Sequence, residues 1–517
     1  MPNETRPEIV RLPQDVLDRA RERDPLCTEA SMRLADAIAD FEPEEKFDVD
    51  PKAVIVGGYV RDLALGLSPK DADIEVYGVA TQELAPLLER LYGKVNSVGQ
   101  AFGILKVPLA DGRELDVSVP RRESKVGKGH QGFLVQSDPA LDVWEAARRR
   151  DFTINTLALD PLNGEIFNGF GGLEDIANRL LRVTDAERFQ DDPLRVYRAI
   201  QFAARFGLTV EKKTMDLMRE MVDRGDLAEL SKERVTEEWK KLLLKSEKPS
   251  VGLELMRELG IVEKHLPELA ACIDCPQEPE WHPEGDVWIH TLMVTDAAAK
   301  IIKREKNVLT TDEQMAVMFG AVVHDFGKPG TTKFENGRIT SKNHEAEGEE
   351  PARVFFDRLA LSGAVVDSAV HVTTSHLQPG MLFRQLEKGD LTERSYANAT
   401  RKLLRKVAPT RAQVILAASE SDFRGRTIPG VHHATYLPGE RMREIVAKFA
   451  LDHEAKTSLI QGRDVLGIAR DIGKGGNPGP WVGKVIQHIE RLRDDGKIDT
   501  FEEALTEAER FLKESVM

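Results

Sequence analysis

The segment Val54-Ile55-Val56-Gly57-Gly58 constrains this chain more than any other, because it joins an apolar run to a glycine pair and then to a helix-like stretch, Val60 to Leu67. Twelve residues lie between Gly58 and Asp71-Ala72-Asp73-Ile74, where a second apolar run, Ile74-Glu75-Val76-Tyr77, begins. The pattern predicts strand, tight turn, helix and strand. Two glycines let backbone amides approach a phosphate chain, the helix N-terminus behind them favours an anion, and Arg61 reaches the same phosphates from the first turn. Asp71 and Asp73 stand two apart, so on a strand both side chains leave the same face and share a pair of divalent cations. Phe102 to Val107 and Glu114 to Val119 flank Asp111-Gly112 and read as a hairpin, whose second strand carries a third carboxylate, Asp116.

The mixed pattern runs from Ala53 to about Asp160 and includes a helix around Leu84 to Leu91; beyond it helix signals dominate, from Leu194 to Phe206 closed by Gly207 and again from Val235 to Leu244. The first 50 or so residues read as an irregular lead-in with a helical stretch, Glu29 to Ile38. Gln277 to Gly285, rich in Pro and Glu, reads as a boundary, and the loop Gly473 to Pro480 precedes a last helical section. There Val482, Val485, Ile486, Ile489 and Leu492 share one face, and Thr500 with Glu503 has capping-box spacing; this tail suits packing or a dimer surface rather than chemistry.

A chain of 517 residues, at roughly 150 per domain, accommodates three to four domains. No run reaches the ~18 uncharged apolar residues of a membrane span. Met1 to Val10 lacks the apolar core of a secretory signal, and the three cysteines are too few for a disulfide framework. The expectation is a soluble, cytoplasmic protein with no membrane partner. Cys272 and Cys275, with no second pair at zinc spacing, read as unligated loop thiols. The formal net charge of -15 excludes general coating of nucleic acid, so any RNA contact uses local basic faces. Those available are Arg121-Arg122 through Lys125 and Lys128, Arg148-Arg149-Arg150, and Arg401-Lys402 through Arg405-Lys406 and Arg411.

A second constellation follows the apolar run Val317 to Val323, which leads into His324-Asp325-Phe326-Gly327-Lys328. Adjacent His and Asp bind one ion if other helices supply further ligands, and His290 before them and Asp422 after them are candidates. Histidine ligands favour Mn²⁺, Ni²⁺, Co²⁺, Fe or Zn²⁺ over Mg²⁺.

Gly57-Gly58-Tyr59-Val60-Arg61-Asp62, Asp71-Ala72-Asp73, Arg149-Arg150-Asp151-Phe152-Thr153-Ile154-Asn155, Asp191-Asp192-Pro193-Leu194-Arg195-Val196-Tyr197-Arg198 and Glu233-Arg234-Val235-Thr236-Glu237-Glu238 stand in this order along the chain. Together they resemble the ordered motifs of bacterial tRNA nucleotidyltransferases, the CCA-adding enzymes of the class shared with bacterial poly(A) polymerases. The resemblance implies an α+β protein: a small mixed α/β, polymerase-β-like head followed by mostly α-helical domains. It implies that Asp71 and Asp73, with Asp116, hold Mg²⁺ and that the partners are the tRNA 3′ end, CTP and ATP. Gly57, Gly58, Arg61, Arg150, Asp151, Asp192, Arg195 and Arg198 would form the nucleotide-binding set together with Asp191. In the family a carboxylate and a guanidinium face the base, and U and G present oxygen where the amine of C or A should be. This chain has Asp191-Asp192 where relatives more often carry Glu-Asp, which leaves open which acid faces the base. Ahead of Arg149-Arg150-Asp151 many relatives carry an Asp, whereas here the run is Glu145-Ala146-Ala147-Arg148.

His290, His324, Asp325 and Asp422 resemble the HD phosphohydrolase superfamily, with His344 and His376 completing a second metal position. That resemblance implies Mn²⁺, Ni²⁺ or another transition metal and hydrolysis of, for example, 2′,3′-cyclic phosphates or 2′-phosphates. The implied division is an N-terminal helical extension over 1–50, the head over 51–165 and a helical neck and body over 166–275. An HD domain follows over 276–430 and a helical tail over 431–517. Poly(A) synthesis, addition of CC or A alone, or a phosphohydrolase whose head only binds RNA are the competing activities. The sequence leaves the oligomeric state open.

Overall fold

The computed structural model describes residues 9–11, 18, 21–22, 24–69, 71–93, 95–97, 104–125, 133–448, 458–473, 478–494, 497–498 and 500–514. Phe102, Gly103 and Lys128 of the expectations above lie outside them. The chain forms two compact units, residues 1–242 with 254–261, and residues 243–253 with 262–517. Among the described residues no helix is long and apolar enough to cross a membrane.

The first unit is built on strands β1 (Ile9–Arg11), β2 (Lys52–Val56), β3 (Asp73–Tyr77), β4 (Asn96–Ser97), β5 (Ile104–Pro108), β6 (Glu114–Ser118), β7 (Arg121–Lys125), β8 (Phe133–Ser137), β9 (Ala158–Leu159) and β10 (Glu165–Phe167). Eight of them make one sheet in the order β1-β10-β9-β2-β3-β6-β5-β4, and β7 pairs with β8 in a separate ribbon. Within that sheet only β3 and β6 run parallel. β5 and β6 pair antiparallel across Asp111-Gly112, as the turn chemistry predicts, with Gly112 at φ 85°. The lead-in is less irregular than expected: its first described residues supply edge strand β1, and Pro25–Ala39 is a helix started by Asp24, whose side chain accepts from Cys27 N. Arg113 holds that cap with two bonds to Asp24, at 2.6 and 2.8 Å.

The second unit is helical. Thr311–Val323 begins with a capping box between Thr310 and Glu313 and buries every residue from Met315 to Val323. A helix apolar on all sides belongs in an interior; this one packs against Val287–Arg304, Gly363–Thr373 and Ala412–Arg424. At the C-terminal end Gly462–Asp471, Pro480–Asp494 and Phe501–Glu514 share a core that includes Val485 and Ile489, with Val482, Ile486 and Leu492 packed against it. Thr500 and Glu503 form their reciprocal cap at 3.0 and 3.2 Å. The loop Gln277 to Gly285, which reads as a boundary in sequence, lies inside this unit. Cys272 and Cys275 are buried free thiols, and neither belongs to any group of possible metal ligands among the described residues.

Candidate active site

β2 ends at Val56, and Gly57 turns the chain at φ 69° into the helix Gly58–Ala64. A side chain at Gly57 would have its Cβ 2.7 Å from Arg150 Nη1, so glycine here serves both the left-handed turn and the close approach of a guanidinium. The register of β3 and β6 sets Asp73 directly beside Asp116, on neighbouring strands about 4.8 Å apart. Both carboxylates open into a cleft of about 650 Å³ that Gly57, Gly58, Arg150, Asp192, Arg195 and Arg198 also line. Burial first, then the charges of Asp116, Glu75 and Asp71, push the Asp73 carboxyl above its usual range, while Arg150 pulls it down. Lys106 Nζ lies 3.1 Å from Asp116 Oδ1. Two acids forced together, one of them already resisting ionisation, form a donor set suited to divalent cations.

The remaining expected residues fall into different roles. Asp71 precedes β3 rather than lying in it, is exposed, and is not part of the cleft lining; it reaches the centre through its charge on Asp73. Arg61 lines the cleft but is buried: its guanidinium bonds Asp62 at 2.6 Å and Asn155 at 2.8 Å and lies over the rings of Phe202 and Phe206. It organises the wall more than it reaches for phosphate. Asp151 is buried and accepts from Arg198 at 2.6 Å, Asn155 at 2.8 Å and Phe152 N at 2.9 Å. Burial works against its charge, but Arg198 and Asn155 hold its carboxyl below the usual range.

Of the two adjacent acids it is Asp192 that lines the cleft; its Oδ2 accepts from Arg234 at 2.7 Å and its Oδ1 from Leu194 N at 3.2 Å, while Asp191 is not part of the lining. The helix that follows, Leu194–Phe206, ends at Gly207 as its sequence predicts. Arg195 donates to the carbonyls of Arg149 at 2.7 Å and Arg188 at 2.9 Å. Arg121, from the first basic cluster, lines the cleft with Arg149 and Arg150.

Sequence reasoning missed Glu75. Its side chain is 4% exposed, and its carboxylate takes Arg149 Nη2 at 2.6 Å, Arg150 Nη2 at 3.3 Å and the Tyr77 hydroxyl at 2.8 Å. The available signal was an acid inside an apolar strand, two residues beyond Asp73 and so on the same face. Burial opposes its charge, but Arg150 and Arg149 overcome this and hold the carboxyl down at about 2, against 4.5 normally. Glu75→Gln should destabilise the protein by roughly 3 kcal/mol in urea unfolding at neutral pH, because a buried pair loses one partner. A depressed carboxyl stabilises fully above its unfolded pKa, so the native pair's contribution disappears as pH falls from 4.5 toward 2, and the variant should lack that acid-side dependence.

The second unit gathers the other candidates. Asp325 Oδ2 lies 3.1 Å from His324 Nε2 and 3.8 Å from His290 Nε2; its Oδ1 lies 3.4 Å from His344 Nε2 and 3.8 Å from His376 Nε2. Asp422 Oδ1 is 2.9 Å from His290 Nε2. Gly327 makes this convergence feasible, since a Cβ there would sit 2.0 Å from the carbonyl of His344. Lys328 Nζ pairs with Asp325 at 2.7 Å and Arg426 with Asp422 at 2.6 Å. Among the described residues His344 Nε2 and Asp325 Oδ1 are buried without a hydrogen-bond partner, and His324 Nε2 has only the ion-pair contact to Asp325 Oδ2 that Lys328 shares. Such orphaned, converging donors fit a metal ion, and imidazole with carboxylate suits a transition metal. His282 and Glu284, which the sequence reading passed over as part of a Pro- and Glu-rich break, border the same cluster.

Residues 53–182 match the family described as Poly A polymerase head domain, and residues 207–273 the one described as Probable RNA and SrmB- binding site of polymerase A. The chain is 32% identical over 438 residues to the Multifunctional CCA protein of Xanthomonas campestris pv. campestris, covering 84% of this chain and 96% of that one. To the Multifunctional CCA protein of Stenotrophomonas maltophilia it is 35% identical over 417 residues, covering 80% and 93%. Among solved structures, the CCA-adding enzyme of Bacillus stearothermophilus in complex with CTP is similar with a TM-score of 0.60 at 22% identity, over 95% of this chain and 99% of that one. The Thermotoga maritima CCA-adding enzyme complexed with tRNA_CCA is similar with a TM-score of 0.55 at 20% identity, over 98% and 99%. Likeness at these structural identities is likeness of fold, whereas the two curated relatives are aligned over nearly their whole length. This chain belongs to the CCA-adding enzymes of the poly(A) polymerase superfamily.

Proposed function

We propose that the first unit adds or repairs the 3′-terminal CCA of tRNA from CTP and ATP without a nucleic-acid template. The observation that carries this is the in-register pair Asp73 and Asp116 in a cleft whose lining also includes Arg121, Arg149, Arg150, Arg195 and Arg198. The relatives named Multifunctional CCA protein support the same reading. Asp73 and Asp116, with Asp71 beside them, would hold Mg²⁺, which when bound supplies Lewis-acid stabilisation of the triphosphate and the attacking oxygen. The 3′-oxygen of the RNA attacks the α-phosphorus, the bond to the β-phosphate bridging oxygen breaks, pyrophosphate leaves in line, and the hydroxyl proton passes to water. Arg150, held by Glu75 against Gly57, offers fixed positive charge to the phosphates. Asp192 and Arg195 are the pair to face the base: a carboxylate accepts from the amine of C or A and refuses the carbonyl oxygen of U or G.

Incorporation into tRNA lacking its 3′ end tests this directly. CTP alone should add two C residues, ATP alone little, and both together CCA and then stop. A long A tail, or addition of only CC or only A, would replace this reading with polyadenylation or partial synthesis.

We further propose that the stretch 276–430 in the second unit is an HD-type phosphohydrolase using a transition metal such as Mn²⁺ or Ni²⁺. What favours it is the convergence of orphaned imidazole and carboxylate atoms around Asp325.

A further inference from the structure

We propose that Glu284 is the positioning residue for His290, fixing its ring so that Nε2 is the atom presented to a cation; this rests on reading the second unit as a metal centre. A neutral imidazole carries one proton, and whatever accepts it from one nitrogen leaves the lone pair on the other. For three of the four histidines around Asp325 the acceptor is a backbone carbonyl three residues earlier. His324 Nδ1 faces Ala321 O at 2.9 Å, His344 Nδ1 faces Ser341 O at 2.7 Å, and His376 Nδ1 faces Thr373 O at 3.2 Å. Ala321 and Thr373 lie in the last turns of their helices, where carbonyls lack intrahelical donors, and Ser341 ends a strand. Each of these rings is therefore oriented by its own chain end.

His290 has no such recourse. It sits in the second turn of Val287–Arg304, where the carbonyls before it are engaged by the helix itself, and it is fully buried. The group facing it comes from the preceding loop instead: Glu284 Oε1 lies 2.8 Å from His290 Nδ1, an ion-pair contact outside hydrogen-bond geometry, and 2.9 Å from His282 Nδ1, within it. The Glu284 side chain is only 1% exposed, and its other oxygen accepts from Thr427 N at 3.3 Å, which ties it to the segment just beyond Asp422. Gln277 anchors the same loop, donating to Gly285 O at 3.2 Å and accepting from Lys328 at 2.6 Å. Holding the proton on Nδ1, on the Glu284 side, would leave His290 Nε2 with its lone pair toward Asp422, 2.9 Å away, and Asp325, 3.8 Å away, an arrangement that a metal cation between them makes favourable. A carboxylate on the far nitrogen also makes Nε2 a stronger ligand than a carbonyl would. Glu284 adds a third buried carboxylate to Asp325, which pairs with Lys328, and Asp422, which pairs with Arg426, so the cluster holds more acidic than basic side chains for an added divalent cation to meet.

The test is titration of the metal-free full-length protein with Ni²⁺, with stoichiometry by elemental analysis, plus the absorption spectrum of the Co²⁺-loaded protein. Glu284→Gln should bind Ni²⁺ about 10–100-fold more weakly at unchanged stoichiometry and shift the Co²⁺ bands, and Glu284→Asp should restore part of the affinity. Thermal unfolding of the metal-free proteins checks folding; if Glu284→Gln does not fold, Glu284→Asp against wild type carries the comparison. Equal affinity and an unchanged spectrum in Glu284→Gln overturn the inference alone. Loss of one metal equivalent makes Glu284 a ligand and overturns it too. If wild type binds no more Ni²⁺ than a His324→Ala, Asp325→Ala double variant, the metal-centre reading itself fails and takes this inference with it.

Discussion

Asp73→Ala is expected to slow incorporation of CMP and AMP into tRNA lacking its 3′ end by about 10³-fold or more, in single-turnover reactions with saturating nucleotide and Mg²⁺. The magnitude follows from what the side chain does. Cation-assisted stabilisation at a transferring phosphoryl group amounts to several kcal/mol, and each ~1.4 kcal/mol is a factor of ten. Asp73 sits where β3 and β6 bring a second carboxylate alongside, so removing either acid leaves the other, with only Asp71 nearby, to bind the same ions. Asp116→Ala should therefore be severe as well, and the double variant little worse than the worse single one, because groups acting as a unit are not additive. The Asp73 variant should still fold, since its side chain opens into the cleft rather than the core. Activity within tenfold of wild type would remove Asp73 from the reaction.

What could be read beforehand and what could not divides along physical lines. The strand-turn-helix around Gly57-Gly58, the hairpin at Asp111-Gly112 and the helix Leu194–Phe206 depend on neighbours within a dozen residues, and turn residues and periodicity encode them locally. The pairing of β1 with β10 joins segments more than 150 residues apart through two three-residue strands, and no local pattern records such a choice. Candidate chemistry follows the same division. Aspartates two apart at the start of an apolar run, or His beside Asp after an apolar helix, stand out in the sequence, although Asp71 proves to lie just before the strand. Glu75 and Glu284 do not, because each matters through the groups it touches: one gathers two arginines from residues 149 and 150, the other a histidine from a helix. Asp191 and Asp192 are chemically identical neighbours, and only the turn into the following helix decides which enters the cleft.

The second large effect is expected at Asp325. Its carboxylate stands within 4 Å of four imidazole nitrogens and pairs with Lys328, and it is the one acid around which every described histidine of the cluster except His282 converges. Burial opposes its ionisation, yet His324 and Lys328 hold the carboxyl well below the usual range, so the charged form is the one the fold is built around. Asp325→Asn keeps the shape and deletes the charge. Removing the charge of a ligand should weaken metal binding by at least the roughly 10–100-fold that loss of a ligand's hydrogen-bond partner causes. Calorimetric titration with Ni²⁺ or Mn²⁺ should show that loss, and metal-dependent release of phosphate from a 2′-phosphorylated nucleotide should fall with it. CCA addition by the same preparation should persist, because the residues proposed to carry it, from Gly57 to Arg234, all belong to the first unit. Undiminished metal affinity in Asp325→Asn would show that the imidazoles alone hold the ion, and a parallel collapse of CCA addition would show that the two activities are not separately housed.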